Sequence, residues 1–201
     1  MKKNHSYTGR ISNKKIFYIE TYGCQMNVAD SELIKTIMNN EGYLLSNDIT
    51  QADAIFVNTC AIRDHAEEKI HSQLGRFALL KKEKPETIIG VLGCMAQNLK
   101  HDLLENRPFV DIVLGPDSYR RIPELLKRKN TQKNSIVDTK LSRYEVYDGL
   151  FPHRDDKGVN AWISIMRGCD KFCTFCIVPF TRGRERSRSK NSILDEVQKA
   201  V

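Results

Sequence analysis

The sequence predicts an α/β fold built on a doubly wound parallel sheet, and three observations carry that prediction. From Ile16 onward, short β-branched runs alternate with amphipathic helical patterns, which is the order expected of βαβ units. A cysteine sits at the C-terminal end of three of the predicted strands, at Cys24, Cys60 and Cys94. The 201 residues give room for one full α/β domain and the beginning of another, since domains usually run to about 100–150 residues.

The candidate strands are 16–23, 54–60, 87–94 and 109–114. Between the first two, Leu33, Ile34, Ile37 and Met38 line one face of a helix that Asn27 or Asp30 could cap and Gly42 would end. After the second strand, Ala66, Ile70, Leu74, Phe77 and Ala78 recur at helical spacing, with Pro85 just beyond. Leu99, Leu103 and Leu104 mark a third helix, and Ile122, Leu125 and Leu126 a fourth. The organisation read from these signals is a polar, basic tail over 1–15, the sheet domain over 16–130, a connection with room for one short strand over 131–160, and a second, incomplete unit over 161–201. In that last unit Trp162, Ile163, Ile165 and Met166 form a buried-strand pattern running into Gly168 and Cys169, and a helix begins at about Ser192.

With 40% hydrophobic and 28% charged residues and a mean hydropathy of -0.46, the composition is that of a soluble globular protein, not a disordered or membrane one. No apolar run approaches the roughly 20 residues a spanning helix needs, and the N-terminus lacks the apolar core of a secretory signal. The expected location is cytoplasmic. Thiols there stay reduced, so six cysteines point to metal or redox chemistry in preference to disulfides. A net charge of +7 favours a polyanionic partner such as tRNA, although charge alone also serves solubility.

The cysteines fall into two sets. Cys169, Cys173 and Cys176 lie close together on a loop after a predicted strand, and three such thiolates can hold a [4Fe-4S] cluster while leaving one iron open to a small molecule. Half of a zinc site or a ferredoxin-like fragment is the alternative, although no second CxxC pair follows. Cys24, Cys60 and Cys94 are separated by 36 (60 − 24) and 34 (94 − 60) residues, so only secondary structure joins them. The C-terminal ends of parallel strands line a shared crevice where ligands bind, and neighbouring strands would bring the three thiols together there. A single cysteine at a strand end is otherwise a small buried hydrophobe. Asn27 and Arg63 lie within three residues of these thiols and can orient the site through hydrogen bonds, or serve as a cap and a surface ion pair. His65 and His71 read as helix-surface residues, and Arg120, Arg121, Lys127, Arg128 and Lys129 as a solvated helical face and its end.

The stretch Cys169-Asp-Lys-Phe-Cys173-Thr-Phe-Cys176 resembles the radical-SAM signature. The resemblance implies that the open iron chelates S-adenosylmethionine (SAM), that an electron from the cluster cleaves it to a 5′-deoxyadenosyl radical, and that Phe175 packs against the bound nucleoside. The segments Thr21-Tyr-Gly-Cys-Gln-Met-Asn27, Asn58-Thr-Cys-Ala-Ile-Arg63 and Gly93-Cys-Met-Ala-Gln97 look like the three cysteine motifs of the radical-SAM methylthiotransferase family, a likeness covering nearly all of the chain after Lys15. It implies a methylthiotransferase N-terminal domain whose Cys24, Cys60 and Cys94 hold an auxiliary [4Fe-4S] cluster, followed by the truncated start of a radical-SAM partial (β/α) barrel. In that family one SAM methylates sulfur at the auxiliary cluster and another supplies the radical that abstracts hydrogen from an unreactive aromatic C–H.

Within the family, Tyr-Gly-Cys-Gln-Met-Asn and Ile177-Val-Pro-Phe-Thr-Arg-Gly-Arg-Glu-Arg-Ser-Arg188 most resemble the branch that converts N6-isopentenyladenosine beside the tRNA anticodon to its 2-methylthio derivative. The implied partners are tRNA and an electron donor, with no membrane, and a monomer is expected. Arg182, Arg184, Arg186 and Arg188 can contact tRNA phosphates or shape the SAM pocket, or form a solvated loop partly neutralised by Glu185. The branches acting on threonylcarbamoyladenosine in tRNA or on a ribosomal-protein aspartate stay open, as does a non-enzymatic metal or redox module. Only 41 residues (201 − 160) follow Asn160, against roughly 250 for a full eight-fold barrel, so the chain alone is expected to be inactive.

Overall fold

The computed structural model describes residues 14–61, 64–152 and 160–200, without the side chains of 64–69 and 71. The expectations for Arg63, and for the side chains of His65, Ala66 and His71, therefore fall outside the described part. In chain order the elements are β1 (Ile16–Tyr22), α1 (Gln25–Asn40), β2 (Leu44–Leu45), β3 (Ala54–Thr59), α2 (Asp64–Glu83), β4 (Ile88–Gly93), α3 (Cys94–Leu99), α4 (His101–Asn106), β5 (Ile112–Leu114), α5 (Ile122–Thr131) and β6 (Ile136–Asp138). After them come β7 (Met166–Arg167), α6 (Val178–Arg182), β8 (Arg186–Ser187) and α7 (Lys190–Ala200).

The first six strands form one parallel sheet in the order β2-β1-β3-β4-β5-β6. The chain winds outward from β1 to β2, then crosses to the other side of β1 and continues from β3 to β6. This order places the topological switch point between β1 and β3, where open α/β sheets form their ligand crevice. β6 is the short strand allowed for in 131–160, and it joins the sheet beside β5.

Alternation of side chains along the strands divides the core in two. Phe17, Ala54, Phe56, Leu92, Ile112 and Leu114 face Leu33, Ile34, Ile37 and Met38 of α1 and Ile122, Leu125 and Leu126 of α5. Ile55, Val57, Ile89, Val91 and Val113 face the opposite layer, where Ile70, Leu74 and Phe77 of α2 pack with Met95, Ala96 and Leu103. β3 and β4 are buried at every position, as central parallel strands covered on both faces must be.

Several local expectations change. α1 begins at Gln25 with Cys24 in the N-cap position, so neither Asn27 nor Asp30 caps it. Both are buried and turned toward other partners. The third helix is broken into α3 and α4 at Lys100, whose φ is 49°. Lys129 is not solvated: it pairs with the buried Asp111 at 3.0 Å, and Lys81 binds the same carboxylate. Of the expected strand around 162–166, only Met166–Arg167 forms, paired antiparallel with β8. Trp162, Ile165 and Met166 are exposed, because a ribbon with a single neighbour has nothing packed on its outer side.

Phe77 is fully buried under the sheet, so Phe77→Ala is expected to cost about 3–5 kcal/mol. A urea midpoint within error of the parent chain would contradict this account of the core.

Candidate functional site

β1, β3 and β4 are adjacent, and each ends against a cysteine: Cys24 follows Gly23, Cys60 follows Thr59 and Cys94 opens α3 directly after Gly93. The backbone at these ends is tightly held. The Cys60 amide donates to the Tyr22 carbonyl at 3.1 Å, and the amides of Asn27 and Val28 donate to the Cys24 carbonyl. Between α1 and the ends of β1 and β3 lies a polar chain, buried at Asn27, Ser31 and Asn58, in which Asn27 Nδ2 donates to Asn58 Oδ1 at 3.2 Å. In turn Asn58 Nδ2 donates to the Asn27 carbonyl and to Ser31 Oγ, both at 2.9 Å, and Ser31 Oγ meets Thr21 Oγ1 at 2.6 Å. Satisfied buried amides fix their surroundings, because leaving any one unpaired costs about 1–3 kcal/mol. The Cys24 thiol lies 3.5 Å from Asn27 Oδ1 and so hangs on the same chain.

Two glycines keep the backbone close at these ends. A Cβ on Gly93, whose φ is 92°, would stand 2.4 Å from Asn58 Oδ1 and 2.7 Å from the Thr59 carbonyl oxygen. At Gly23 it would stand 2.8 Å from Cys60 Cβ. The site is therefore a cradle that side chains at these two positions would fill.

The donor chemistry is soft: three thiols, none in a disulfide, at three neighbouring strand ends. Such a set suits iron–sulfur clusters or zinc. Among the described residues no three Cys, His, Asp or Glu side chains gather closely enough to hold a single metal ion.

The second cysteine set is carried by a segment docked on the same end of the sheet. Arg167 of β7 donates from Nη1 to Asp30 Oδ1 at 2.9 Å and from Nη2 to the Pro116 carbonyl at 3.0 Å. Arg182 of α6 donates from Nη2 to Asp30 Oδ2 at 2.8 Å and from Nε to Cys94 Sγ at 3.2 Å. The Tyr119 hydroxyl donates to Asp30 Oδ2 at 3.3 Å, and Tyr147 stacks on Tyr119 while Arg167 lies over the Tyr147 ring. Burial pushes the Asp30 carboxyl up, but the two guanidiniums outweigh it and hold the group below the ordinary carboxylate range. Burial pushes the Cys94 thiol up, and Arg182 opposes this only in part.

Of the four arginines singled out in the sequence, three turn inward. Arg182 is spent on Asp30 and Cys94, Arg186 reaches Asp117 through both terminal nitrogens at 2.7 and 3.2 Å, and Arg188 binds Glu196 and donates to Ser192 Oγ at 2.8 Å. Arg184 is exposed, pairing with Asp170 at 2.7 Å and lying over the Phe172 ring. In the loop itself the Cys169 amide donates to the Gly183 carbonyl at 3.1 Å and the Cys176 amide to the Cys173 carbonyl at 2.9 Å. Phe175 is 91% exposed and touches no aromatic partner among the described residues, whereas Phe172 and Phe180 meet edge to face.

The sequence reading missed the anchoring acids Asp30 and Asp117, and Arg167. The signal for Asp30 was available: positions 30, 33, 34 and 37 lie on one helical face, so an aspartate there faces the core. Beside this network lies a groove of about 260 Å³ whose walls include Gln25, Met26, Trp162, Ile165 and Met166.

The chain resembles known proteins over most of its length. Residues 16–115 match the family described as "Uncharacterized protein family UPF0004". The chain is 52% identical over 180 residues, 89% of its length, to the tRNA-2-methylthio-N(6)-dimethylallyladenosine synthase of Amoebophilus asiaticus, and covers 37% of that protein. It is 52% identical over 94% of its length to the synthase of the same name from Bacteroides thetaiotaomicron, covering 41% of it, and 46% identical over 93% to that of Chloroherpeton thalassium, again covering 41%. The chain thus spans about two fifths of the length of the curated relatives it matches.

The Asp30 cluster gives the fold a pH dependence of definite sign. A carboxyl held below its unfolded value contributes stability above the ordinary carboxylate range and loses it as pH falls through the folded-state value. Unfolding free energy is expected to fall at the acid end of a urea series, and Asp30→Asn, which has no proton to take up, should give a flatter acid limb. Parallel limbs would place the acid sensitivity elsewhere.

Proposed function

We propose, from the premise that residues 16–115 make this chain a member of the UPF0004 family, that it is the front part of a radical-SAM tRNA methylthiotransferase acting at C2 of N6-isopentenyladenosine beside the anticodon. The observation that carries the reading is the contact between the segments that bear the two cysteine sets: three thiols at neighbouring strand ends, and a Cys169–Cys176 loop followed by Arg182, which reaches Cys94. The relatives' names, all tRNA-2-methylthio-N(6)-dimethylallyladenosine synthase, supply the substrate. Because the chain spans only about two fifths of those proteins, the whole activity is proposed for a protein of their length, with residues 161–201 as the start of the barrel and 131–160 as the connection to it.

In this reading Cys24, Cys60 and Cys94 hold the auxiliary [4Fe-4S] cluster, and Cys169, Cys173 and Cys176 hold the one that binds SAM. The clusters and SAM supply the one-electron chemistry needed at an unreactive aromatic carbon. The chain's own residues bind and orient. Gly23 and Gly93 leave space at the strand ends, while the Asn27, Asn58 and Ser31 chain fixes the loops that bear Cys24 and Cys60. The buried tyrosine and guanidinium layer over Asp30 keeps water from that side. Phe175, exposed beside Cys176, presents a ring to a nucleoside, and Arg184 presents a cation at the surface where RNA phosphate would approach.

Nucleoside mass spectrometry of tRNA from cells with the complete gene disrupted tests the proposal. Methylthio-isopentenyladenosine is expected to vanish and isopentenyladenosine to accumulate. Loss of the methylthio group from the threonylcarbamoyl derivative alone would move the assignment to that branch, and unchanged tRNA would end the tRNA reading. For the purified chain, iron with labile sulfide is expected after anaerobic reconstitution, and stoichiometric zinc in its place would favour a binding module.

A further inference from the structure

Arg182 touches two groups at once, and that fixes its direction. A guanidinium is a rigid planar fork, so holding Nη2 on Asp30 Oδ2 at 2.8 Å determines where Nε points, and it points at Cys94 Sγ at 3.2 Å. Arg167 occupies the other carboxylate oxygen and Tyr119 adds a third donor. Asp30, Tyr119, Arg167, Arg182 and Cys94 are all buried, so water has little part in these contacts. Arg167 stands two residues before Cys169 (169 − 167) and Arg182 six after Cys176 (182 − 176), so one carboxylate on α1 grips both sides of the second cysteine loop.

The geometry points to Asp30 as a positioning residue for the strand-end sulfur site. It clamps the 167–182 segment over the sheet and aims Arg182 so that a charged N–H donates to the Cys94 sulfur. This rests on the reading of Cys94 as a ligand of the auxiliary cluster. Hydrogen bonds and positive charge at a ligating sulfur favour the reduced state of the cluster it belongs to. Asp30 itself touches no sulfur; its charge opposes that of Arg182 at Cys94, so what it contributes to the site is the placing of the two guanidiniums.

The test uses the 201-residue chain carrying Cys169→Ala, Cys173→Ala and Cys176→Ala, so that only the strand-end site can load when ferrous iron and sulfide are supplied. Asp30→Asn, Arg182→Gln and Cys94→Ala are compared in that background by iron content, by the midpoint potential read from electron paramagnetic resonance, and by amide hydrogen exchange. Cys94→Ala is expected to lose cluster iron. Arg182→Gln and Asp30→Asn are expected to keep it, and Arg182→Gln to shift the midpoint in the negative direction. Asp30→Asn is also expected to speed exchange over 164–188 by about tenfold or more, since one partner of a buried ion pair is gone, while Ala54–Thr59 and Ile88–Gly93 stay protected. Those protected strands show that a variant has folded. Full iron retention in Cys94→Ala overturns the ligand reading and, with it, the role of Arg182. Iron loss in Cys94→Ala with an unmoved midpoint in Arg182→Gln overturns the positioning inference alone, as does unchanged exchange over 164–188 in Asp30→Asn.

Discussion

A carboxylate taken wholly out of water stays charged only if cations and donors are already in place, and Asp30 meets that condition with groups distant in sequence. Its two oxygens receive Arg167, Arg182 and Tyr119, from β7, α6 and the turn before α5. Burying such a group is costly unless every partner is present, and removing one typically costs about 3–5 kcal/mol. The requirement therefore dictates arrangement as much as it adds stability. α1 has to present Asp30 toward the strand ends, the ribbon has to lie where Arg167 reaches it, and α6 has to approach closely enough for Arg182 to touch Cys94. Asp117 repeats the device with Arg186, so a second buried acid holds the other strand of the same ribbon.

The sheet provides the frame on which this depends. Central strands with no polar face leave the ends as the only places for chemistry, and the reversal of winding between β1 and β3 opens a crevice at those ends. Gly23 after β1 and Gly93 at the end of β4 have positive φ, and an added Cβ would strike Cys60 from the first and Asn58 and Thr59 of β3 from the second. Thiols after three neighbouring strands are thus drawn to one side of the molecule by topology, while the amides of Asn27 and Asn58 tie together the segments that follow β1 and β3.

Much of the sheet was legible because its signals are local. Leu33, Ile34, Ile37 and Met38 announce a helix without reference to anything else, and the Val and Ile runs of β3 and β4 announce buried strands. β2 and β6 were faint, since strands of two and three residues carry no period of their own and exist by pairing with β1 and β5. At the site, the cysteines were legible through their strand-end positions, and Asn27 through its nearness to Cys24. The arginines were visible as a charged run, but charge in a sequence does not say which way a side chain turns. Asp30 decides that Arg182 turns inward and Asp117 that Arg186 does, both acids far away in the chain, while Arg188 turns toward Glu196.

Asp30 and Arg182 are 152 residues apart, and that separation has a meaning in time. A ribosome adds roughly 5–20 residues each second, so the acid is synthesised roughly eight to thirty seconds before the arginine that neutralises it. For the last 88 residues of that interval the strands through β4 have been synthesised and Cys94 has no guanidinium over it. The nascent chain therefore passes through a stage in which its strand-end thiols stand open to the surroundings, and synthesis of α6 closes it.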